Sequence, residues 1–336
     1  MFTNIVAGVD ERGGGRDAIA LAAELASDNG HLTLAYIYSA VPSIWTRSSA
    51  RYDAMTQGRA LGVLRDAARE ASLAADLRCC ASSSIGRGLH ELAESVHADL
   101  LVVGSSQRGA VGRVLLGDDT RAALDGAPCA VAVAPAGYAQ QRGPFGEIGV
   151  AYNGSPESIR ALAVARELAA ERNARVSAFE AVAVPAIALA SGPASVDDCL
   201  QELLDDARAR VRALEGVEPH AVYGQPAEEL ALYSASVDLL VVGSRGYGPV
   251  GRLVHGSTAH RLARMARCPL LVLPRPAGEP AKPTARTADP QSDVIYGDLR
   301  KRNERRRNES PALEARRRPR LELLVEAARR YGPKRR

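Results

Sequence analysis

No run of eighteen apolar residues occurs, so nothing in this chain reads as a membrane-spanning helix. Nor does a basic segment followed by an apolar stretch open it; Met1-Phe2-Thr3-Asn4 passes straight into a β-type pattern, and the expected location is the cytoplasm. The five cysteines (Cys79, Cys80, Cys129, Cys199 and Cys268) are odd in number and never spaced Cys-x-x-Cys, which indicates neither a disulfide framework nor a zinc site. His31, His90, His97, His220 and His260 form no metal-ligand pattern with nearby carboxylates. Aromatics make up only 4% of the residues, so the cores must be built from Ala, Val and Leu, which suits thin helix-on-sheet layers. A Gly-x-x-x-x-Gly-Lys-Ser/Thr phosphate loop and a Gly-x-Ser-x-Gly nucleophile elbow are both missing, which argues against an efficient nucleotide hydrolase.

What is present is long enough for two domains: 336 residues, 46% of them hydrophobic. Charge divides the chain unevenly. Residues 276–336 hold seventeen Lys/Arg against nine Asp/Glu, a net +8, and leave the preceding part at −4. Pro276, Pro280, Pro283 and Pro290 interrupt a polar stretch that cannot bury a core, so a disordered basic tail is expected, with a weak amphipathic pattern from Leu313 to Val325. Its Arg-rich blocks at 300–302, 305–307 and 316–318 suit a nucleic acid or another acidic partner, or simply a solvated extension.

The body is one unit written twice. Ala98-Asp99-Leu100-Leu101-Val102-Val103-Gly104-Ser105 matches Val237-Asp238-Leu239-Leu240-Val241-Val242-Gly243-Ser244 at an offset of 139, which also aligns Gly117 with Gly256. Upstream, strand patterns at 5–9 and 148–152 are followed by helical spacing at 17–26 and 158–170, second strands at 32–38 and 175–182, second helices at 52–75 and 195–214, and third strands at 77–81 and 219–223. Each unit reads βαβαβαβαβ. The fold class predicted is α/β, two tandem open parallel five-stranded sheets with helices on both faces and right-handed crossovers. The predicted domains are 1–137 and 147–275, with a linker at 138–146. Sheets of this kind bind ligands at the carboxyl ends of their strands, at the switch in strand order.

The glycine loop after the fourth strand falls on that edge. Glycines let backbone N–H groups approach an anion, and a helix start adds unpaired N–H groups and partial positive charge. In the second unit Arg245 and Arg252 supply cations, and Ser244, Ser257 and Thr258 supply hydroxyls. The alternative is that these glycines only shape a long turn.

Gly243, two residues, Gly246, nine residues, Gly256-Ser257, after a strand ending Val-Val-Gly-Ser, resembles the ATP-binding signature of the universal stress protein family. The resemblance spans about residues 1–275 and implies a Rossmann-like, adenine-nucleotide α-hydrolase-like fold. By the same resemblance the loop holds ribose and phosphates, with ATP as the ligand and Mg²⁺ as its companion, while the first two strands hold the adenine. Carried over residue by residue, it implies a nucleotide site at Asn153, Gly154, Ala181, Gly243, Ser244, Arg245, Gly246, Gly248, Arg252, Gly256, Ser257 and Thr258, and a degenerate one at Asp10, Ile37, Gly104, Ser105 and Gly117. Asp10 or Asn153 could equally cap the helix that follows.

The first loop departs from the signature twice, with Gln107 in place of the second glycine and Asp118 in place of the hydroxyl residue. Gln107 has a Cβ where the backbone needs freedom. Asp118 sets a carboxylate against phosphate, a repulsion of about 4 kcal/mol at 4 Å and an effective dielectric near 20 before screening. The second unit is therefore the predicted working site. The implied function is a nucleotide-dependent stress-response regulator acting through a protein partner. Its last strands, 131–134 and 270–273, should pair within the chain, and further homodimerisation is expected. Two alternatives stand beside it: slow hydrolysis or transfer on the nucleotide, with His255 as an acid-base candidate, and tail-borne binding of nucleic acid.

Overall fold

The computed structural model of the chain describes residues 2–11, 13–39, 48–105, 114, 117–141, 143–183, 193–244 and 257–274. Apolar runs such as Leu-Leu-Val-Val become strands buried on both faces, and the helix-period segments between them become crossovers. In the first half the order is β1 (Phe2–Gly8), α1 (Gly13–Leu25), β2 (Ala26–Ser39), α2 (Ser48–Ala71), β3 (Asp76–Ser82), α3 (Ile85–Ser95), β4 (Leu100–Gly104), α4 (Asp118–Leu124) and β5 (Ala130–Ala134). A short α5 (Tyr138–Gln141) follows. The second half repeats the series as β6 (Glu147–Ala151), α6 (Pro156–Arg172), β7 (Arg175–Val182), α7 (Pro193–Arg212), β8 (Glu218–Tyr223), α8 (Pro226–Tyr233), β9 (Leu239–Gly243), α9 (Ser257–Leu262) and β10 (Leu270–Leu273).

The two predicted five-stranded sheets are joined into one of ten strands, in the order β3-β2-β1-β4-β5-β10-β9-β6-β7-β8. Pairing within each half is parallel, and the seam is antiparallel, with Leu270 opposite Val133, Leu271 opposite Ala132 and Val272 opposite Val131. Each half thus covers the open edge of the other's last strand. One core layer packs α1, α2, α6 and α7 on one face of the sheet, and a second packs α3, α4, α8 and α9 on the other; both layers run across the seam.

Several boundaries differ from the sequence pattern, among them α2, expected at 52–75 and found at Ser48–Ala71. Helix α1 begins at Gly13, four residues before the predicted start, and Gly14 and Gly15 there lie against the backbone of Ser105 and Asp10, where side chains would crowd. Strand β2 extends back to Ala26, which pairs with Phe2 before a register shift. The predicted linker holds helix α5, because the buried Asp17 carboxylate accepts hydrogen bonds from Gly137 N and Ala139 N, each at 2.8 Å. The tail expected at 276–336 lies outside the described residues.

The repeated aspartate of the octapeptide clamps the amino edge of the sheet. Asp99 accepts from Thr3 N, Thr3 Oγ1 and Asn4 N, and Asp238 accepts from Gly146 N and Glu147 N. That leaves the opposite edge for a ligand.

Candidate functional site

In each half the strand order turns back between the first and fourth strands, β1 and β4 in one and β6 and β9 in the other. At the second of these points β6 is followed by buried Tyr152, whose N–H donates to Phe179 O, and the chain turns through Asn153 and Gly154 into α6. Gly154 has φ +75, a conformation that favours glycine. Ser155, rather than Asn153, caps the helix by accepting from Ser158 N. Asn153 Oδ1 accepts from Ser155 N at 3.1 Å and shapes the turn. Among the described residues its amide nitrogen meets no hydrogen-bond partner, so a donor remains at the place where the resemblance puts the base.

The adjoining strand β9 delivers Gly243 and Ser244 to the same edge. A Cβ built on Gly243 would lie 2.8 Å from Glu157 Cβ and from Glu157 O, so the first turn of α6 passes where a side chain would stand. Gly104 is pressed in the same way by the backbone of Gly14. These two glycines are thus required by packing whatever the loops bind. Ser244 is different: it is 4% exposed, its N–H donates to Leu273 O, and its buried Oγ meets no partner among the described residues.

The first half closes the corresponding edge on itself. Thr120 Oγ1 donates to Gly104 O at 2.9 Å, tying the first turn of α4 back to the end of β4. At the matching position the second half has Ala259, which cannot donate. Asp118 and Asp119 stand exposed in the first turn of α4, behind Gly117 as its N-cap.

Among the other predicted residues, Ile37 is buried on β2 and packs against α3 at Gly88, and Ala181 is half-buried on β7 opposite Val222. Asp10 is exposed after β1, Ser105 is buried after β4, and Thr258 is half-buried in α9. Ser257 starts α9. Arg245, Gly246, Gly248, Arg252 and Gly256, together with His255 and Gln107, lie outside the described residues.

Sequence reasoning missed a set of ion pairs above both turns. Arg210 of α7 meets the buried Glu180 of β7 with two parallel bonds, Nε to Oε2 at 3.1 Å and Nη2 to Oε1 at 2.8 Å. Hydrogen bonding to Glu180 raises the Arg210 pKa above its ordinary value. The only sequence signal for this pair is a glutamate inside the run of buried residues on β7, which demands a cation. In the first half Glu11, after β1, pairs with Arg59 of α2, and Tyr36 Oη donates to it at 3.4 Å. Burial, and then the Glu11 carboxylate, push the Tyr36 hydroxyl up.

The sequence profile of the universal stress protein family matches residues 1–135 and again 144–274. The chain belongs to the universal stress protein family. Universal stress protein Rv2005c of Mycobacterium tuberculosis is 32% identical over 185 residues, or 53% of this chain and 62% of that protein, so the match spans less than two thirds of that relative. A universal stress protein structure from Archaeoglobus fulgidus DSM 4304 superposes with a TM-score of 0.56 at 16% identity, covering 82% of this chain and 97% of its own, which shows the shared fold. Another universal stress protein, solved in complex with cAMP, is 27% identical and covers 39% of this chain and 98% of its own, with a TM-score of 0.25. In this universal stress protein no helix among the described residues is long and apolar enough to cross a membrane.

Proposed function

We propose that this universal stress protein binds ATP, with Mg²⁺ as companion cation, at the carboxyl edge of its second half and works in the cytoplasm as a nucleotide-dependent regulator. On this reading residues 147–275 are the working domain. Residues 1–137 are a degenerate partner joined through 138–146, and occupancy is read by a protein partner of the homodimer.

The observation that carries the reading is the buried Ser244 hydroxyl. Among the described residues it has no partner, at the start of the glycine loop, beside the Asn153–Gly154 turn and the amino end of α6. An unsatisfied buried hydroxyl costs about 1–3 kcal/mol, which a ribose or phosphate oxygen at that position would offset. Asn153 keeps an amide donor for a base, and the loop glycines with Arg245 and Arg252 supply what polyphosphate needs. The first edge offers less, since Thr120 already ties Gly104 and Asp118 adds a negative charge.

Calorimetry on nucleotide-free protein with ATP, ADP and cAMP tests this. One ATP per chain is expected, abolished by Gly246→Glu. Ser244→Ala should weaken ATP by about five-fold, the worth of one hydrogen bond near 1 kcal/mol, without lowering the melting temperature of the free protein. The absence of nucleotide binding by the native chain would overturn the reading.

A further inference from the structure

The two halves carry the same latch with its acid in different places. The hydrogen bonds Tyr152 N to Phe179 O and Val9 N to Ala35 O set the halves in register, so that Gly154 corresponds to Glu11, Glu180 to Tyr36 and Ala181 to Ile37. In both halves an arginine from the helix after the second strand, Arg59 or Arg210, reaches a carboxylate beside the turn that follows the first strand. In the first half that carboxylate belongs to the turn itself, as Glu11, and the strand contributes Tyr36. In the second half it belongs to the strand, as Glu180, and the turn is left to Gly154.

The geometry around Gly154 shows what the exchange does. A Cβ on Gly154 would lie 2.9 Å from Arg210 Cδ, so the arginine stem crosses directly over this turn while its head is held by Glu180. Glu180 has 7% of its side chain exposed, against 37% for Glu11. The acid of the second latch is therefore withdrawn beneath the helix, whereas that of the first projects at the edge where a nucleotide would enter.

We propose that the position of this acid selects which half admits the nucleotide: Glu180 with Arg210 fixes the Asn153–Gly154 turn and leaves it free of negative charge, while Glu11 with Arg59 and Tyr36 closes the turn after β1. Glu180 and Arg210 are on this account positioning residues, and the proposal rests on nucleotide binding at the second edge. Arg59 largely neutralises Glu11, so this acid acts by occupying space: its side chain stands at the base end of the first site, where the second site has only Gly154.

Exchanging the latches tests the idea on the full-length chain, with ATP as the probe. In the second half, Gly154→Glu with Glu180→Tyr should cut ATP affinity at least ten-fold while far-ultraviolet circular dichroism stays native. Since a non-glycine residue at φ +75 is strained, a gain of function in the first half carries equal weight. Starting from Gln107→Gly with Asp118→Ser, one ATP per chain is expected; adding Glu11→Gly with Tyr36→Glu should raise this to two, and a merely structural role would not produce that second site. Two ATP per chain before the latch is exchanged, or one after, would overturn the proposal while leaving nucleotide binding in place. No binding by the native chain would overturn both.

Discussion

At the scale of the residue, two neighbours in the chain, Gly243 and Ser244, are constrained differently. Gly243 is held by the approach of α6, so Gly243→Ala should destabilise the free protein by about 1–3 kcal/mol in chemical denaturation, with or without nucleotide. Ser244→Ala should leave folding intact and act on binding, and the pair of variants separates the two roles. The cysteines give a further contrast. Cys79 and Cys80 are half-buried on β3, whereas Cys129 and Cys268 are buried in the core beneath α3, α4, α8 and α9. Burial above all pushes the Cys129 thiol up to about 12. Its folded-state value is raised above the unfolded one, so its contribution to stability is complete below about pH 9, the ordinary thiol value, and is lost as pH rises towards 12. Alkylation at pH 8 should therefore modify Cys79 and Cys80 in the native protein, and Cys129 and Cys268 only after denaturation. Labelling of Cys129 in native protein at that pH would contradict its burial.

At the scale of the element, helix starts were harder to place than strands. The shared run Asp-Leu-Leu-Val-Val-Gly-Ser identifies β4 and β9, because its shortness, its β-branched residues and its closing glycine suit a strand covered on both faces. Helix α1 was not legible in the same way: Gly13-Gly14-Gly15 has poor helix propensity, and the close approach of Asp10 and Ser105 that favours glycine there appears only in the fold. Helix α5 is likewise a tertiary product, held by Asp17 from a distance of 120 residues in sequence. Asp17→Ala removes both capping bonds, and faster amide exchange at residues 137–141 is the expected result, with a loss of about 1–3 kcal/mol in stability. Unchanged exchange there would mean that α5 stands on its own propensity.

At the scale of the whole molecule, the antiparallel seam of β5 and β10 makes the halves one body. Both core layers cross it, and Leu271 at its centre is fully buried. Thermal unfolding of the chain should accordingly be a single cooperative transition. Leu271→Asp, which buries an unpaired charge, should lower the stability of both halves together by about 4 kcal/mol or more. Two separate transitions in the native protein, or a variant in which only the second half melts early, would show that the seam does not couple them.

The sequence by itself determined the tandem repeat, the alternation of strand and helix, the parallel sheets and the placement of each glycine loop after a fourth strand, since these follow from hydrophobic period and local turn chemistry. The difference between the loops was legible too, in Gln107 and Asp118 against Gly246 and Ser257. Tertiary structure alone decided which polar groups meet. Glu180 and Arg210 are thirty residues apart on separate elements, Thr120 reaches Gly104 across its loop, and the buried Ser244 hydroxyl finds no partner among the described residues. Side-chain pairing of this kind depends on how elements converge in space, and a linear pattern records only that an ionic or polar group is present, not the group that satisfies it.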